Sequence, residues 1–331
     1  MIRRRESVRD GARDVPLLVE EFSSAADLLS TLESRPAWPS LSRFDYMHGA
    51  VPLDPEWSGF ADASYLRDRL EHGIRDDRLA REARRFADEA KATQQDRLRK
   101  VDRRMYGGVA CVPAYLSGMP NSMWSVTRRR VPSRILHMCI DAGLGFSNSA
   151  GDYRASGEAL VKTIAGLEGA GYRVRVTAVV SAHEYMRGEV HMLGLPLKGE
   201  SEPMDFARIL YPLTDVSFFR GVGFAWLATN PAFNPEDGAL GNELQCAFTT
   251  NADERLSEAY EAAFGGNAEY IPIRDMAKMS RRGMDADRLR GYVESRMLDT
   301  DAGAGSVFRR GMGLSREIVK NFPTKSSKIF R

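Results

Sequence analysis

The sequence predicts a doubly wound, mainly parallel α/β sheet preceded by a mainly helical N-terminal region. A nearly continuous apolar run at 135–140 (ILHMCI) ends in Asp141, as a strand covered on both faces would. Strand and helix patterns then alternate to about residue 298, which is the signature of a sheet with helices on both faces. With 331 residues, 43% of them hydrophobic, the chain is long enough to bury a large core.

Residues 1–15 are arginine-rich and lack apolar periodicity, so they read as a basic flexible arm. The region 16–131 reads as mainly helical. Phe22, Ala25, Ala26, Leu28, Leu29 and Leu32 recur at helical spacing, with Ser23 or Ser24 placed to cap the start. Residues 37–60 mix aromatic residues with proline and glycine and read as an irregular packed stretch. Tyr65, Leu66 and Leu70 mark a helix that Gly73 stops, and 76–104 reads as one long, charge-laced helix with a thin apolar stripe. Gly107 and Gly108 end it before a short strand at 109–112.

The α/β core is expected over 132–298. After the strand ending at Asp141 comes a Gly/Ser loop, then a helix at 153–168 with Leu160, Val161, Ile164 and Leu167 inward and Gly169 and Gly171 beyond its end. Residues 172–180 and 189–197 read as a hairpin of β-branched strands. A right-handed crossover then makes the strands at 135 and 172 parallel. Helices are expected at 203–210, 215–228, 253–264 and 285–298, and strands at 244–249 and 269–273. The tail, 299–331, reads as poorly ordered in part.

The segment ILHMCID at 135–141, with GEAL at 157–160, LEGAGYRV at 167–174, EPMD at 202–205, FFRGVGF at 218–224 and the Gly118-Met119-Pro120 stretch, resembles a family of bacteriophage and mobile-element proteins over roughly residues 20–230. The core pattern also resembles von Willebrand factor A domains, a Rossmann-like architecture whose first strand ends in Asp-x-Ser-x-Ser and opens a metal-ion-dependent adhesion site. Asp141 stands at the Asp position, but Gly143 and Gly145 stand at the two serine positions and supply no side-chain oxygen. Ser147 and Ser149 lie just beyond. The distant threonine of that family falls at Thr214 and Asp215, and its last acid near Asp253. The resemblance leaves open a divalent cation on Asp141, a metal-free pocket for a ligand or partner, and a purely structural Asp141.

Other constellations are sparse. Gly143-Leu144-Gly145 follows a strand, but Asn148 stands where a dinucleotide fingerprint needs its third glycine. His48, His72, His137, His183 and His191 show no zinc-finger spacing, and His137 with Cys139 reads as strand packing. No residue is nominated as catalytic and no cofactor is expected. Net charge is +2, so any nucleic-acid binding must be local, through Arg128, Arg129, Arg130, Arg281 and Arg282. The odd cysteine count and the absence of a signal-peptide-like or membrane-spanning run point to the cytoplasm. The function expected is a non-enzymatic interaction protein that docks a protein partner through strand-end loops, the alternative being a nucleic-acid accessory protein. Oligomeric state is not legible.

Overall fold

The computed structural model describes residues 1–35, 43–45, 50–52, 55–128, 134–144, 148–233, 238–239, 247–248, 252–265 and 267–299. The chain opens with an antiparallel hairpin of β1 (Ile2–Asp10) and β2 (Arg13–Glu21). Asp10 pairs with Arg13 across the two-residue loop Gly11-Ala12, and Gly11 takes a φ of 62°, as the first central position of a tight hairpin turn requires. Val15, Leu17 and Val19 alternate into the core along β2. The arginine-rich arm is therefore an ordered edge strand whose arginines pair with acids: Arg3 with Glu20, Arg4 with Glu21 and Arg5 with Glu189.

Helix α1 (Ala25–Glu33) is capped by Ser24, whose hydroxyl accepts from the Asp27 N–H. Short strands β3 (Arg43–Asp45) and β4 (Ala50–Pro52) pair within the aromatic stretch, followed by α2 (Pro55–Ser58) and α3 (Ala63–His72). The long helix α4 (Asp77–Leu98) stops earlier than expected. Residues 99–104 leave it as β5 (Arg99–Arg104), which pairs with β7 (Met123–Arg128). Strand β6 (Val109–Ala110) adds to the other side of β7, and α5 (Val112–Leu116) fills the connection, so these elements form a separate three-stranded sheet.

Strand β8 (Ile135–Asp141), helix α6 (Ala150–Gly169), β9 (Arg173–Glu184) and β10 (Glu189–Lys198) follow. Next are α7 (Phe206–Thr214), which carries Pro212 inside it, and a π-helical turn, Phe218–Gly223, running into α8 (Phe224–Thr229). The chain continues through β11 (Gly238–Ala239), α9 (Ala252–Phe264), β12 (Ala268–Pro272), α10 (Ile273–Arg281) and α11 (Ala286–Asp299). Of the strand expected at 244–249, only Ala247 and Phe248 are described, and neither is extended into a sheet. The tail from 300 onward lies outside the described residues.

The main sheet runs β1-β2-β10-β9-β8-β12, with β11 also paired to β9. Strand β8 is parallel to β9 and β12, and β2 is parallel to β10, while β1–β2, β9–β10 and β9–β11 are antiparallel. This corrects the expected architecture: the sheet is mixed, it begins with N-terminal strands, and it is not the doubly wound parallel sheet of a von Willebrand factor A domain or Rossmann-like fold. The physical reason is that β2 supplies a row of free backbone groups that β10 uses, which builds N-terminal chain into one side of the sheet rather than into a helical appendage. Both faces are covered. One packs α6, α7, α8, α10 and α11 over Met138, Ile140, Val176 and Leu193, and the other packs α9 over Cys139, Val179, Met192 and Leu17.

Candidate functional site

Asp141 ends β8 on the face covered by α9 and is 5% exposed. Its carboxylate accepts from the Gly143 N–H at 2.8 Å and from the Ser181 hydroxyl at 3.0 Å, and the Tyr260 phenol of α9 faces the same group. A Cβ on residue 143 would sit 2.9 Å from Asp141 Oδ1, so glycine there lets the loop fold back onto its own carboxylate. Burial pushes the Asp141 carboxyl up, and the hydrogen bonds from Gly143 and Ser181, with the nearby Tyr260 hydroxyl, pull it back.

Among the described residues, the other members of the expected strand-end site make their hydrogen bonds elsewhere. Ser149 caps α6 in a reciprocal capping box with Asp152. Thr214 donates to the Leu210 carbonyl one turn back, and Asp215 accepts from the Ser217 N–H and the Tyr65 hydroxyl. Asp253 lies in the first turn of α9, with its side chain outside the described set, and Gly145 and Ser147 are outside it altogether. Arg128 ends β7, Arg129 and Arg130 are not described, and Arg281 and Arg282 are exposed at the end of α10. His137 and Cys139 do share a buried pocket, His137 Nε2 lying 3.0 Å from Thr177 Oγ1 and 3.5 Å from Cys139 Sγ.

Because burial raises the folded pKa of Asp141, the acid contributes most below the carboxylate range, and that contribution is lost as pH rises through the folded value. Asp141→Asn keeps an acceptor for Gly143 and is expected to change stability at pH 7 by no more than about 1 kcal/mol, while gaining on wild type as pH rises from 3 to 7. Asp141→Ala leaves a buried N–H and hydroxyl unpaired and is expected to lose about 2–4 kcal/mol. Urea titrations of the three proteins across that pH range check both, and millimolar magnesium is expected to leave each melting temperature unchanged.

A second cluster was not singled out by sequence. Glu184 ends β9, Glu189 opens β10, and His191 follows two residues later on the same face, with Glu184 opposite Glu189 and Ala182 opposite His191. One donor atom from each lies within 4.8 Å of the others. Glu184 and His191 are fully buried, and His191 Nε2 stands 3.1 Å from Glu184 Oε2. Burial holds the His191 pKa down at about 4, so the imidazole is neutral. The Phe233 ring meets the imidazole edge-on, centroids 5.1 Å apart. The spacing Glu189-x-His191, one face of a strand, was the legible signal; its third member comes from across the hairpin.

The small sheet carries a different feature. Met105, Tyr106, Val109, Val112, Tyr115, Leu116 and Met119 are each more than half exposed, and Trp124 is 37% exposed. These are eight of the thirteen exposed large apolar side chains among the described residues, all within twenty positions. Arg103, Trp124 and Val109 lie side by side across β5, β7 and β6. No described helix is long and apolar enough to cross a membrane.

The chain belongs to the family described as Domain of unknown function (DUF7192), whose model matches residues 5–300 and so takes in both the mixed sheet and the small sheet. No curated protein and no solved structure matches it.

Proposed function

We propose that the protein is a non-enzymatic interaction protein, acting in the cytoplasm for a phage or mobile element, that docks a partner protein on the small β5–β7–β6 sheet and α5. The supporting observation is the concentration of exposed apolar side chains there. Monomeric proteins seldom leave such side chains contiguous in water unless another surface covers them. Arg103, exposed beside Trp124, edges the patch. A partner presenting an apolar groove with an acidic rim is favoured. The strand-end loops are less suited to this role, because Asp141 is closed over by Tyr260 and by its own loop.

A photo-crosslinking residue in place of Tyr115, compared with one in place of Arg85 on the exposed side of α4, tests the reading in the source cells. Crosslinks to one protein from position 115 alone, abolished by Leu116→Asp at unchanged melting temperature, are expected, since Leu116 is 78% exposed and carries little of the fold. Equal crosslinking from both positions, or capture that Leu116→Asp leaves intact, would sink it. DNA binding that survives about 0.2 M salt would instead promote the nucleic-acid reading through the arginine clusters.

A further inference from the structure

We infer that Glu184, Glu189 and His191 form a binding site for a divalent transition cation of the zinc class. The site is built by the β9–β10 hairpin. Strand alternation puts Glu189 and His191 on one face, and the antiparallel register sets Glu184 directly across from Glu189.

Three features distinguish this cluster from an ordinary surface ion pair. Glu184 and His191 are wholly buried, yet neither is satisfied: Glu184 Oε1 accepts no hydrogen bond and His191 Nδ1 makes none. Arg187 Nε stands 3.3 Å from Glu184 Oε1 but outside hydrogen-bond geometry, and its side chain is 56% exposed. Arg5, which pairs with Glu189 at 2.9 Å, is 66% exposed, so both counter-charges can swing into solvent when a cation enters. Buried polar atoms without partners are uncommon and costly, and a cation that Glu184 holds through both carboxylate oxygens would give Oε1 a partner.

The geometry also fits the ion. Two ligands bound at about 2.0–2.2 Å stand about 3.3–3.6 Å apart in a tetrahedral shell and about 2.8–3.1 Å apart in an octahedral one. The Nε2 to Oε2 separation of 3.1 Å falls in the octahedral range. A cation there replaces the proton now lying between the two atoms, and Glu189, whose side chain is 15% exposed, closes on it from the solvent side. One neutral imidazole and two carboxylates favour a borderline cation over calcium or magnesium, which take oxygen ligands alone.

Calorimetric titration of the chelator-treated full chain with Zn2+, with Co2+ absorbance as the visible probe, tests the site. One saturable equivalent is expected, with a cobalt d–d band and a higher melting temperature. Glu189→Gln should weaken binding at least tenfold while leaving the metal-free melting temperature near wild type, because the side chain reaches solvent. His191→Gln, confirmed folded by circular dichroism, should abolish the band. Absence of a saturable equivalent, or binding that Glu189→Gln leaves unchanged, would overturn the assignment even if His191→Gln does not fold.

Discussion

Gly157→Ala is expected to destabilise the protein by about 3 kcal/mol or more. Gly157 sits in the buried middle of α6, and a Cβ built on it falls well inside contact distance of the Leu213 carbonyl oxygen and its carbon on α7. The obstacle is backbone, so no rotamer change relieves it. Helix α6 would have to move away from α7, yet it also packs against α4, α10 and α11. Overpacking of this kind normally costs about 1–3 kcal/mol, and more where the neighbours are equally fixed. Gly151→Ala is the matched control. It lies in the first turn of the same helix with only Ser149 Oγ at 3.6 Å, and the added helix propensity should make it neutral or stabilising by up to about 1 kcal/mol. Urea unfolding of both variants decides the matter; a Gly157→Ala midpoint within error of wild type would show that the two helices are free to separate.

The same helix shows what the sequence makes legible. The apolar periodicity of α6 and the runs at β8, β9 and β10 are local signals, and those elements stand where the pattern places them. Partner choice is not local. Strand β1 buries only Val8 and Asp10, so its arginines look like those of a solvated arm until β2 is seen to pair with it. The turn signal Asp10-Gly11 was present but stood beside no apolar alternation on the β1 side. Residues 99–104 carry the same charges as α4, and only pairing with residues 123–128 turns them into a strand. For the sites, Asp141 is legible because a strand end is a local feature. Glu184 and His191 meet only through the register of a hairpin, which neither spacing nor composition states.

Glu20→Ala is expected to cost about 3–5 kcal/mol, the second largest loss, because it breaks a buried charge network at one corner. Glu20 lies on β2 beneath α8, its side chain 7% exposed. Its Oε2 accepts from the Trp226 indole N–H at 2.6 Å and from Arg35 at 3.1 Å, while Oε1 accepts from Arg3 at 2.8 Å. Arg35 is nearly as buried, at 9%, and also donates to the Trp226 carbonyl, so it ties the end of α1 to α8 through the same tryptophan. Removing the carboxylate leaves Arg35 with no anion and the indole N–H with no acceptor. The first is the larger penalty, since a buried charge stripped of its partner costs several kcal/mol whatever the intact pair is worth. Glu20→Gln keeps an acceptor for the indole and should lose roughly half as much. Because the group is sheltered from solvent, both losses should persist at 1 M salt, unlike those of the exposed Arg5–Glu189 pair. Guanidinium-free urea titrations followed by tryptophan fluorescence, at low and high salt, give the measurement. A Glu20→Ala loss below about 1 kcal/mol, or one that salt removes, would mean that α1 and α8 are held together by their apolar contacts alone.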